Sequence, residues 1–117
     1  MVPKQATPDS LLDQVVERLV EFYRPHRIYL FGSAARNEYG PDSDLDFLVV
    51  VPDDCPKEIR ASGAIYQKLR GLDVSVDVVP WRQSDFQGRA AAVASSLPAT
   101  VLREGKLVYD AEPVPLR

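Results

Sequence analysis

Arg27-Ile28-Tyr29-Leu30-Phe31-Gly32-Ser33 and, after ten intervening residues, Asp44-Leu45-Asp46-Phe47-Leu48-Val49-Val50-Val51 are the stretches on which the fold turns. Each carries an apolar run of strand length, and the first breaks at two small residues. The second opens on two acids one residue apart. Residues i and i+2 of a strand share a face, so Asp44 and Asp46 project side by side. Carboxylates about 4 Å apart repel by roughly 4 kcal/mol at an effective dielectric near 20. Such a pair, set against Val and Leu, points to a cation between them and to metal-dependent phosphate chemistry.

Working outward, Thr7-Pro8-Asp9 predicts a helix start, with a capping hydroxyl, a first-turn proline and an acid suited to the helix dipole. Leu11, Leu12, Val15, Val16, Leu19 and Val20 follow at helical spacing, and Pro25 ends the helix. Strand one is expected at 27–31, a short helical turn at 33–36, a loop at 38–43 and strand two at 44–51. After a break at 52–56, an amphipathic helix is expected over 57–69, stopped by Gly71. A Val-rich, buried third strand follows at 72–79. Ser84-Asp85 predicts a capped helix to about Ala94, and a last helix runs from Leu97 to Glu104 before Gly105. Lys106 to Tyr109 is expected to add a short strand, and the Pro-rich tail at 112–115 to fray. Alternating strands and helices make the class α/β or α+β around a mixed sheet.

The 117 residues suit a single domain with a modest core and no second substrate-binding lobe. A net charge of −3 disfavours an extended nucleic-acid surface, although ten arginines allow small basic patches. Cys55 is the single cysteine, so an internal disulfide is excluded. No apolar run approaches the roughly 18 residues of a membrane span, and no leader pattern opens the chain. A soluble, cytoplasmic protein is expected.

Asp77 lies within Val74-Ser75-Val76-Asp77-Val78-Val79, an acid inside an apolar strand. A plain role, pairing with an arginine or capping a backbone amide, is one reading. The other is convergence on Asp44 and Asp46 should strands two and three be neighbours. Three carboxylates suit magnesium, a hard cation that binds substrate phosphates, and two such ions can serve an in-line displacement. Gly32 lets a phosphate approach the backbone, Ser33 offers a hydroxyl, and the amides of the following turn face an anion.

The segments Phe31-Gly32-Ser33-Ala34-Ala35-Arg36 and Pro41-Asp42-Ser43-Asp44-Leu45-Asp46 resemble the signature of the nucleotidyltransferase superfamily related to DNA polymerase β. The short length and the Ala-Arg after Gly-Ser are most similar to the minimal nucleotidyltransferases, antitoxin-like proteins paired with HEPN-domain partners. The likeness spans roughly residues 8–110 and implies a mixed sheet of about four strands flanked by helices. It implies that Gly32 and Ser33 hold a triphosphate, with Arg36 near the phosphates. Asp44, Asp46 and Asp77 would bind two magnesium ions, Asp77 also helping to deprotonate an acceptor hydroxyl. The family commonly has Arg-Gly-Asp where this chain has Arg36-Asn37-Glu38-Tyr39, which alters the loop and spares the three acids.

The expected activity is transfer of a nucleoside monophosphate, AMP from ATP, to a hydroxyl acceptor such as a tyrosine of a HEPN-type toxin, by an antitoxin. Two alternatives stay open: an antitoxin acting by occlusion with vestigial nucleotide binding, and transfer to a small molecule such as an aminoglycoside, for which a homodimer could build a cleft. His26 reads as a loop or capping residue, Cys55 as unreactive, and Asp42 and Asp73 as turn or solvated acids. Trp81 reads as an apolar anchor for the last helix or, as the alternative, a partner contact, and Arg82 and Arg89 as either a surface face or a basic rim for phosphate or a partner.

Overall fold

The computed structural model describes residues 8–32, 35, 44–61, 63–72 and 74–111. The elements run α1 (Pro8–Tyr23), β1 (Arg27–Phe31), β2 (Asp44–Val51), α2 (Lys57–Arg60), α3 (Ala64–Lys68), β3 (Ser75–Arg82), α4 (Gln83–Ala92), α5 (Leu97–Glu104) and β4 (Lys106–Asp110). The four strands form a mixed sheet in the order β3-β2-β1-β4. β1 is antiparallel to both β2 and β4, and β2 is parallel to β3 across the connection through α2 and α3.

Both faces of the sheet are covered, which explains why β2 lacks an alternating pattern: all residues from Phe47 to Val51 are buried. On one face Val15, Leu19 and Tyr23 of α1 and Ile65 of α3 pack with Ile28, Leu30, Leu45, Phe47, Val49 and Val51. On the other, Phe86 of α4 and Val101 of α5 pack with Tyr29, Leu48 and Val50. The Tyr29 and Phe86 rings stack at 5.7 Å between centroids. α1 closes at Arg24, whose φ of 51° is the left-handed turn that commonly ends a helix, and buried Pro25 prevents continuation.

Four expected elements differ from the structure. The helix over 57–69 is two short ones, interrupted around Gly63, where backbone freedom disfavours helix. Its stop at Gly71 does sit at a turn of positive φ, 94°. The third strand begins three residues later than expected and runs through Pro80 to Arg82. β3 is an edge strand, and there a proline is tolerated because one side of the backbone needs no partner. The same edge position leaves β3 without a buried residue, so the expected buried strand is half-exposed. α4 starts at Gln83 and takes no cap from Ser84 or Asp85; the Ser84 amide donates instead to Asp53 Oδ1 at 2.9 Å. α5 has the predicted bounds, with the Ser96 hydroxyl accepting from the Ala99 amide. β4 extends one residue beyond expectation, to Asp110. Among the described residues no helix is long and apolar enough to cross a membrane.

Candidate nucleotidyl-transfer site

The sheet register brings the acids together. Asp46 is the Cα partner of Asp77 across the parallel β2–β3 pair, and Asp44 stands opposite Ser75. Side-chain alternation places Asp44 and Asp46 on the face that further along buries Leu48 and Val50. Asp44 and Asp77 are exposed, whereas Asp46 is half-buried. Burial, then the charges of Asp77 and Asp44, push the Asp46 carboxyl above its ordinary range. Both neighbours therefore lie near enough for their charges to be felt. Among the described residues no group of three or more His, Cys, Asp or Glu side chains is placed to hold a metal ion.

Gly32 is the second part of the geometry. Phe31, the last residue of β1, pairs with Asp46, and the chain then turns at Gly32 with φ of 78°. A Cβ on Gly32 would fall 2.5 Å from Asp46 Oδ2. The absent side chain thus serves both the left-handed turn and the room taken by the Asp46 carboxylate. Ser33 and Arg36 lie outside the described residues, as do Asp42 and Asp73.

The exposure of Asp77 removes one premise of the sequence argument. A solvated acid on an edge strand costs little, so its place in an apolar run is no anomaly by itself. What singles it out is its register opposite Asp46.

The residues read as ordinary have ordinary settings. His26 links strand ends through its backbone, its amide donating to Val50 O and its carbonyl accepting from Ala111, both at 2.8 Å. Burial raises the Cys55 thiol, Asp54 adds to this, and Arg60 opposes it. Trp81 packs against the cluster containing Phe86 of α4 and Val101 of α5. Arg82 is engaged by Asp85 at 2.9 Å, and Arg89 is exposed. Sequence reasoning missed Asp53 and Tyr66, whose partners lie far along the chain. Asp53 caps α4, and the Tyr66 hydroxyl accepts from the Val78 amide at 3.1 Å.

A mixed sheet with a Gly turn facing acids on neighbouring strands is the layout of a nucleotidyltransferase. The nucleotidyltransferase domain family model matches residues 12–102, and the chain belongs to this family. Among solved structures, a toxin–antitoxin with AMP-PNP aligns at TM-score 0.57 and 25% identity, covering 86% of this chain and 74% of that one. A structure assigned to a minimal nucleotidyltransferase aligns at TM-score 0.56 and 27% identity, covering 97% of this chain and 100% of that one. A mutant MntA–HpeT toxin–antitoxin aligns at TM-score 0.57 and 22% identity, covering 86% and 73%, and at that identity shows the fold alone. No curated protein matches the chain.

Proposed function

We propose that this chain is one metal-dependent nucleotidyltransferase domain that moves a nucleoside monophosphate, AMP from ATP, onto a hydroxyl of a toxin partner. The observation that carries the proposal is the placement of Asp77 opposite Asp46, with Asp44 two residues away and Gly32 against the Asp46 carboxylate. The donor set fits magnesium: hard carboxylate oxygens whose mutual repulsion a divalent cation would relieve. Asp44, Asp46 and Asp77 would hold it. When bound, the ion neutralises phosphate charge and helps fix the triphosphate for in-line displacement.

The chain's own residues have separate tasks. Gly32 admits phosphate oxygens to the backbone, and Ser33 and Arg36 are assigned to the triphosphate. Asp77, the more solvated of the facing pair, takes the proton from the acceptor hydroxyl. The acceptor oxygen then forms a bond to the α-phosphorus, the α–β bridging bond breaks, and pyrophosphate departs. Positioning and charge stabilisation supply most of the rate for such chemistry.

For the acceptor we infer a tyrosine of a HEPN-type toxin. Its support is the likeness to a toxin–antitoxin at 25% identity. A cytoplasmic setting, where ATP and magnesium are at hand, suits this activity. The test is incubation of the chain with α-labelled ATP, magnesium and its toxin partner. Covalent label on the partner is expected, and loss of that label in Asp44→Asn. Label transfer by Asp44→Asn at the wild-type rate would reject the mechanism.

The solvated setting of Asp77 favours one second reading, an antitoxin that works by occlusion and uses nucleotide only vestigially. A stable complex that never becomes labelled would support it.

A further inference from the structure

Asp77 sits on an edge strand, where only one neighbour fixes the backbone. Amides along a strand alternate between its two sides, so half of those in β3 face outward with no ladder partner among the described residues. The Val78 amide, directly after Asp77, donates to the Tyr66 hydroxyl at 3.1 Å. Tyr66 belongs to α3, and α3 is itself held. Ile65 and the following Leu69 are buried in the core, and Arg18 of α1 donates to the carbonyls of Lys68 at 2.8 Å and Arg70 at 3.3 Å. The same alternation puts the missing N–H of Pro80 on the open side, so of the outward positions Val78 is bonded and Pro80 lacks a donor.

From this geometry we infer that Tyr66 is a positioning residue: its hydroxyl fixes the free edge of β3 so that the Asp77 carboxylate stays opposite Asp46. The inference rests on Asp77 being a metal ligand. Tyr66 is 46% exposed, so its hydroxyl bond to the strand, more than burial of its ring, ties it to β3. The Tyr23 phenol is pushed up to about 12, chiefly by burial and next by the Tyr66 phenol.

The test is Mn2+ binding to the full chain, followed by the loss of the free-ion electron paramagnetic resonance signal, together with amide hydrogen exchange. Tyr66→Phe should weaken Mn2+ binding by about fivefold, the equivalent of one ordinary hydrogen bond, and speed exchange at Val78. Arg103→Met is the control. It removes a contact of similar kind, Arg103 to Ala94 O at 2.9 Å, from α5, which packs on α4 and β1. It should leave Mn2+ affinity unchanged. Asp77→Asn should weaken binding more than Tyr66→Phe does. If Asp77→Asn weakens Mn2+ binding and Tyr66→Phe does not, or does so no more than Arg103→Met, the positioning role is overturned while the metal site stands. If Asp77→Asn binds Mn2+ like the wild type, or the wild type binds none, the metal assignment fails and takes the inference with it.

Discussion

Asp46 and Asp77 are register partners in parallel neighbouring strands, with the half-buried Asp46 carboxyl held above its usual range by burial and then by Asp77. A fold spends stability on such a pair, and the effect has a definite sign. Because the folded-state value lies above the ordinary 3.8, the folded protein binds more protons than the unfolded chain across that window. Stability from this group therefore falls as pH rises through the folded value and is level below 3.8. Asp46→Asn should stabilise the metal-free chain at pH 7 by about 0.5 kcal/mol, allowing for solvent screening. Thermal unfolding across pH should show that gain disappearing in acid.

Gly32→Ala separates site from scaffold. The left-handed φ of 78° costs an L-residue roughly 1–2 kcal/mol, a modest loss that denaturant unfolding can measure. The new methyl also meets Asp46 Oδ2, the free end of a side chain that can swing away. The expected result is a protein that folds but has lost magnesium-dependent nucleotide binding. A variant that binds nucleotide like the wild type would show that the Asp46 carboxylate is not used where it stands.

Asp53 is the distant cap of α4. Its carboxyl is held below the ordinary range, first by the Ser84 amide and, more weakly, by Arg82 and His26. A depressed value means stabilisation present above 3.8 and lost as pH falls through the folded value. Asp53→Ala should lower Tm at pH 7, with a smaller difference in acid, and Asp53→Asn should fall between because it keeps an acceptor without the charge. Circular dichroism melts at several pH values check the order.

Much of this architecture can be read directly from the chain, for identifiable reasons. β2 follows from an uninterrupted apolar run too short for a buried helix, and the end of α5 from Gly105, which stops the helix. The facing of Asp77 and Asp46 was conditional on strands two and three being neighbours, and it also needs their register, since a slip of one residue would turn the two acids to opposite faces. What was misplaced depended on tertiary position. Pro80 ends a strand unless that strand lies at an edge, and edge status is decided by sheet order. The buried character expected of β3 failed for the same reason: valines that look like core residues are half-covered when one neighbour is missing. The Asp53 cap and the Tyr66 contact span 31 and 12 residues, and no local pattern announces them.

The central claim is that Asp44, Asp46 and Asp77 jointly hold divalent metal beneath a bound triphosphate, and calorimetric titration of a non-hydrolysable ATP analogue with and without magnesium tests it most directly. The account predicts saturable uptake that needs magnesium and is lost in Asp44→Asn, Asp46→Asn and Asp77→Asn, each of which still unfolds cooperatively. Uptake that ignores magnesium, or that survives all three substitutions, would contradict it.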